Sequence, residues 1–352
     1  MNTVSEHETK PSKPTRRRYI LLMCVIGLVI AGWSGAWFFG RSVLADQLDT
    51  QLQAMKINGL DISCSDLAIA GYPFRYEVYC RDLASNDRYG TKGSLGGLNA
   101  VALIYNPWHI IFEAKAPASI AEPLSGLLGE MSWDTARASV KFSSSALGAF
   151  DAVLSNPEAA FENPLSRGLF AADKAELHLR NTPETADAVD GFVSVDALQL
   201  KSLPEFGATI DMRAHVQVTG GAALLAGSNL ALLVRQREGR LPVKLVLFET
   251  VLGDSRVNAA GDLAINGDGT VSGKLDLTIG NADGLLDLVQ PMFPPQDNSF
   301  SLVRSVVQSL KGAETQVDGQ PSITLPVAID QGVIRIGFLT LGRIPPLFSA
   351  GT

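Results

Sequence analysis

Three cysteines, four histidines and a charged fraction of 18% are little for a chain of 352 residues, and each scarcity removes a class of function. An average soluble domain is about 25% charged, so this surface is expected to carry less charge than usual. The histidines, His7, His109, His178 and His215, fall in no metal-ligand spacing, and no zinc centre is predicted. No His-Glu-x-x-His and no Gly-x-Ser-x-Gly occurs, so zinc-protease and serine-hydrolase signatures are absent. Gly90, Gly93, Gly96 and Gly97 superficially suggest a phosphate loop, but the Lys-Ser/Thr and the βαβ context are missing; a flexible loop is the expectation. His109 and Glu113 share one side of a predicted strand, where a lone histidine is read as a surface or hydrogen-bonded residue. No catalytic residue, metal or cofactor is therefore predicted, and the chain reads as a non-enzyme.

Charge is also unevenly placed. Residues 1–18 hold five of the 29 basic residues and two of the 36 acidic ones, leaving 24 against 34, a net −10, for the rest. A body of that sign repels phosphate backbones, so nucleic acid is excluded as a partner, and so is purely electrostatic membrane binding.

What the sequence does have is one long apolar run. Tyr19–Gly40 is 22 residues without a charge, about 33 Å of helix against a hydrocarbon core of about 30 Å. It predicts a transmembrane helix over 19–40. Arg16, Arg17 and Arg18 precede it and only Arg41 follows closely, so residues 1–18 are expected in the cytoplasm and the body outside it. Trp33, Trp37, Phe38 and Phe39 crowd the far end, where aromatic rings favour the membrane boundary. The rival reading is a cleavable signal peptide, for which Val43 and Ala45 give a small-residue pattern. Against it, the apolar core is longer than the roughly 7–15 residues usual there, and Arg41 would separate core from cut. Leu44, Leu48, Leu52 and Met55 then recur at helical spacing, so 41–57 is predicted to be an amphipathic juxtamembrane helix.

From 58 to 352 the pattern is mainly β: period-two alternation broken by Gly, Asn and Asp turns. One hairpin turns at Asn266-Gly267-Asp268-Gly269 between Leu263/Ile265 and Val271–Ile279. Another turns at Asp330-Gln331-Gly332 between Ile323–Ile329 and Ile334–Phe338. Strands are also expected around 98–105, 109–115, 136–142, 175–180, 192–200, 208–218, 230–235 and 243–249. Val303, Val306, Val307 and Leu310 fit a helix face capped by Asp297 or Asn298. An elongated, curved antiparallel sheet with a few covering helices follows.

Cys64 and Cys80 are the only cysteines outside the apolar run. In an exported body they are expected to oxidise. If Ile62–Cys80 turns at Gly71-Tyr72-Pro73, reflection about residue 72 sets the two face to face, on the side of Phe74, Tyr76 and Val78. A loop of this size contributes on the order of 3 kcal/mol. Tyr72, Phe74 and Arg75 are candidate contacts for a partner or groove, although a rigid turn accounts for Gly71 and Pro73 without one. Trp108, in Tyr105-Asn106-Pro107-Trp108, is either a packed turn residue, the simpler reading, or a groove-lining aromatic.

Cys64-Ser-Asp-Leu-Ala-Ile-Ala-Gly-Tyr-Pro-Phe-Arg75, closing at Cys80, resembles the opening of the alphaproteobacterial envelope family called domain of unknown function 2125. Asp330–Ile334 and Leu341–Leu347 resemble its close. The resemblance spans nearly the whole chain and implies a bacterial inner-membrane protein with a periplasmic body. In plan it is also similar to AsmA-like proteins, one membrane helix followed by a folded-over sheet around an apolar groove. It supplies no catalytic residues. The expectation is a groove that binds a lipid or acyl chain and assists envelope lipid transfer or organisation. The alternatives are a scaffold recruiting other envelope proteins and an enzyme with an unrecognised site.

Overall fold

A computed structural model describes residues 16–348 except 144–145, 165, 184, 186, 293–297, 311–314, 318 and 338. Most of the expected cytoplasmic N-terminus, the cap Asp297 and the strand residue Phe338 lie outside the described residues.

The described residues open with α1, Arg16–Ile57, one unbroken helix of 42 residues. No proline interrupts it, and it ends at Gly59, whose φ of +89° a side chain would resist. The predicted membrane helix and juxtamembrane helix are thus one rod. It is the one helix among the described residues long and apolar enough to cross a bilayer, its most apolar 18-residue stretch having a mean hydropathy of 2.1.

Beyond it the described residues form a single antiparallel sheet of 21 strands. The first part comprises β1 Leu60–Ser65, β2 Ala68–Ala70, β3 Arg75–Cys80, β4 Asp82–Asp87, β5 Lys92–Leu103 and β6 Asn106–Glu122. Then come β7 Leu127–Ser132, β8 Thr135–Phe142, β9 Leu147–Ser155, β10 Glu158–Asn163, β11 Ser166–Ala171, β12 Lys174–Asn181 and β13 Ala188–Leu200. After β14 Ile210–Thr219 two short helices intervene, α2 Ala222–Leu225 and α3 Leu230–Gln236. The sheet resumes with β15 Arg240–Leu252, β16 Ser255–Asn266 and β17 Val271–Gly280, then α4 Ala282–Val289 and α5 Asn298–Leu310, and closes with β18 Thr315–Val317, β19 Gln320–Asp330, β20 Val333–Ile336 and β21 Leu339–Arg343.

Many of these strands are halves of longer ones. β5 pairs with both β3 and β4, β6 with both β7 and β8, and β13 with both β11 and β12. The interruptions lie side by side. One line crosses the strands through Asp66, Arg81, the bulge at Gly96, Ala116-Pro117, Trp133-Asp134, Asn156-Pro157, Ala172-Asp173 and the bulge at Ala197. Backbone bonds bridge it: Arg81 to Ser65, Asn156 to Asp173, Asp173 to Asp196. Proline, bulges and left-handed residues each spoil pleating locally, and in register they crease the sheet across β1–β13.

Three sequence expectations fail here. Residues 230–235, expected as a strand, form α3: Asn229 caps it by accepting from the Ala231 and Leu232 amides, and so short an apolar run has no decisive period. The expected glycine loop at 90–97 is mostly the start of β5, where Gly96 is needed because a side chain would strike the Ala116 carbonyl. The cysteines do bond, with Cα atoms 5.7 Å apart, but they are not opposite each other. Cys64 faces Leu83 and Cys80 faces Leu98. The turn is centred one to two residues later than supposed, with Ala70 opposite Glu77, and the bridge staples the chain beside the crease at Asp66 and Arg81. The hairpins β16–β17 and β19–β20 have their expected turns, Ile265 facing Val271 and Ile329 facing Ile334.

Buried side chains are few. The accessible area is 22666 Å², against about 14,000 Å² for a folded monomer of 37.4 kDa. The exposed apolar residues of α1 contribute to that excess, as do half-buried side chains on the sheet.

Candidate functional site

Register sorts the sheet's two faces by chemistry. On one face, cross-strand neighbours are apolar: Phe112 opposite Ala138, Phe150 opposite Val140 and Leu179, Val193 opposite Ala214, Phe248 opposite Ala259, Leu277 opposite Leu325. These aromatic and aliphatic side chains are mostly half-buried rather than buried. The face is covered at two places at opposite ends of the later strands. At one, Leu233 and Val234 of α3 pack with Leu241, Ile265, Val218 and Phe348. At the other, Ala282 and Leu286 of α4 and Val307 of α5 pack on Ile279, Ile323 and Leu325. Asn281, with φ of +51°, caps α4 by accepting from the Gly284 amide.

The opposite face is a polar ladder. It includes Asn99 donating to Glu77, His109 bonded to Ser139 at 2.8 Å, Lys174 and Ser194 on Glu176, Arg256 on Glu249 and Thr278 beside Thr324. Lys174 holds the Glu176 carboxyl below its ordinary range, against an opposing desolvation and with help from Ser194. A depression of about 520 Å³ on this face is lined by Lys141, Asp151, His178, Arg180, Asp190 and His215. His178 Nδ1 lies 2.8 Å from Asp151, and buried Asp190 sits 3.6 Å from His215 and 3.7 Å from Arg180. Histidine–carboxylate pairs orient imidazoles for proton transfer, but no Ser, Thr or Cys is among the lining residues to be activated. Sequence reasoning missed this group because 151 and 178 become neighbours only through the β9–β12 register; no local motif marks them.

The residues singled out from the sequence gather elsewhere, where the β2–β3 turn meets α1. Trp33, Trp37 and Arg41, one helical turn apart, donate to the carbonyls of Pro73 (2.8 Å), Arg75 (3.0 Å) and Ile69 (3.1 Å). Tyr72 OH and Ser34 Oγ are 2.8 Å apart. Trp37, 4% exposed, stacks on Tyr76 at 5.7 Å and meets Tyr72 edge-on at 5.5 Å. Gly40 admits the Tyr76 hydroxyl, which bonds the Trp37 carbonyl. Phe74 is 6.4 Å from Trp33 yet 63% exposed, and Arg75, unexplained by the sequence, pairs with Glu77 at 3.0 Å. Trp108 is 59% exposed rather than packed, because the register shift that opposes Leu103 to Asn106 puts it near the tip of the β5–β6 hairpin. Tyr72, Phe74 and Arg75 are thus assembled with the helix, and Trp108 lies at the same end of the sheet without joining the cluster.

These features define a class of architecture: a long apolar helix docked by an aromatic clasp onto one broad antiparallel sheet with an apolar and a polar face. The family model described as "Uncharacterized protein conserved in bacteria (DUF2125)" matches residues 37–345, and the chain belongs to that family. No curated protein matches the chain significantly. No solved structure does so either.

Proposed function

We propose that the protein is held in the bacterial inner membrane by α1, with its sheet in the periplasm, and binds an acyl chain or lipid along the apolar face to assist envelope lipid transfer or organisation. The observation that carries this reading is the half-buried apolar face, which begins beside Tyr76 at the clasp, continues through Phe112, Phe150, Val193 and Phe248, and is covered by helices only at the two ends of the later strands. Apolar surface left open to water forfeits about 25 cal/mol per Å² that a ligand chain would recover. We read the plan, one membrane helix followed by a folded sheet, as similar in layout to that of AsmA-like groove proteins, an analogy only. The low charge of the chain, 18%, favours binding of an apolar ligand.

The test is photo-crosslinking in intact cells. A benzophenone amino acid at Phe150 or Phe248 is expected to give lipid adducts, read by mass spectrometry, while one at Arg213 on the polar face gives none. Protein adducts at Phe150 and Phe248 in place of lipid would support a scaffold, and equal labelling of both faces would refute a sided groove.

A further inference from the structure

We infer that the tips of the β2–β3 and β5–β6 hairpins, Gly71–Phe74 and Ile104–Tyr105, are immersed in the far leaflet of the membrane that α1 crosses. The inference rests on the anchor reading above and adds to it a lipid-contacting surface on the sheet itself.

Depth is the first argument. The uncharged run lies between Arg18 and Arg41, and its length matches the hydrocarbon thickness. Trp33 lies seven residues before Gly40, about 10 Å along the axis, and its indole leans further toward the N-terminus. The Pro73 carbonyl is 2.8 Å from that indole, so the turn descends to the same level. Sliding the helix outward until Trp33 reaches the surface would leave only Tyr19–Gly32, about 21 Å, to cross about 30 Å, and would draw Arg16–Arg18 into the core.

Hydrogen bonding is the second. Backbone polar groups in hydrocarbon must be paired within the protein. Gly71 accepts from the Arg75 amide, Phe74 from the Ile104 amide, and Pro73 and Arg75 from the two indoles. A turn bathed in water needs no such provision. Exposure is the third. Tyr72, Phe74, Tyr105 and Trp108 are 50–78% exposed at the same end of the sheet, since Arg75 pairs with Leu103. Tyr and Trp at that level favour the bilayer interface, and their large exposed rings have no water-based rationale. The occupant is therefore lipid, continuous with that around the anchor, and the apolar face opens directly onto it.

The experiment is spin-label accessibility on the full chain in phosphatidylethanolamine/phosphatidylglycerol nanodiscs, with Cys24→Ser and the disulfide retained. Labels at Tyr105→Cys and, separately, Trp108→Cys are compared with Val29→Cys in the anchor and Leu124→Cys at the opposite end of β6. Collision with a water-soluble nickel complex is expected to be several-fold lower at 105 and 108 than at 124, with oxygen collision raised. If 105 and 108 match 124 while 29 is lipid-buried, the immersion is refuted and the anchor stands. If 29 is itself open to nickel, the anchor reading fails and takes this inference with it.

Discussion

Truncating Trp37 to alanine should uncouple the helix from the sheet without unfolding either. The indole is 4% exposed, stacks on Tyr76, and donates to the Arg75 carbonyl at 3.0 Å. Removing a large buried aromatic typically costs about 3–5 kcal/mol. Because these contacts join α1 to the β2–β3 turn and lie outside the sheet's hydrogen-bond ladder, the loss should fall on docking, an effect on the order of 10² to 10⁴ in the docked-to-undocked ratio. The assay is a pulsed electron-spin distance distribution between labels at Ile26 and Tyr105, both exposed. The parent should give one narrow distance and Trp37→Ala a broad one. Trp37→Phe keeps a ring but orphans the carbonyl, costing about 1–3 kcal/mol if the turn is dry and less in water; it therefore also reports on immersion. An unchanged narrow distribution in Trp37→Ala, or global unfolding at the same urea concentration as docking is lost, would refute the reasoning.

Replacing Cys64 and Cys80 together by serine should lower stability by about 3 kcal/mol, seen as a lower urea midpoint that reductant does not shift further. Leu241, fully buried against α3, should cost about 2–5 kcal/mol as alanine, and hydrogen exchange should rise first in α3 and the adjoining strand ends. Acid should destabilise the turns. Glu122 is held below its ordinary pKa by the Ser125 hydroxyl and by the Ser125 and Leu124 amides, and Asp268 by the Thr270 hydroxyl and amide. Since both values are depressed on folding, their stabilisation is fully present above the ordinary carboxylate range and is lost as pH falls through the lowered values. A Glu122→Gln/Asp268→Asn variant should thus be weaker at pH 7 and show a shallower loss of urea midpoint below about pH 4; an unchanged slope would contradict the assignment.

Patterns that repeat along the chain were legible before any fold was known. Tyr19–Gly40 reads as a spanning length because helix rise is fixed, and alternation around Asn266–Gly269 and Asp330–Gly332 reads as hairpins because strands have period two. Cys64 and Cys80 were legible as a pair because they are the only cysteines outside the apolar run. Tertiary structure alone decided what depends on register. Whether Cys64 faces Cys80 or Leu83 turns on a shift of one or two residues at a glycine-proline turn. The crease arises only when interruptions on separate strands fall into line, and His178 meets Asp151 across 27 residues of chain. The clasp of Trp33, Trp37 and Arg41 on the turn carbonyls is of the same kind: its donors and acceptors lie 28 to 40 residues apart, and local preference carries no information over that distance, whereas packing does.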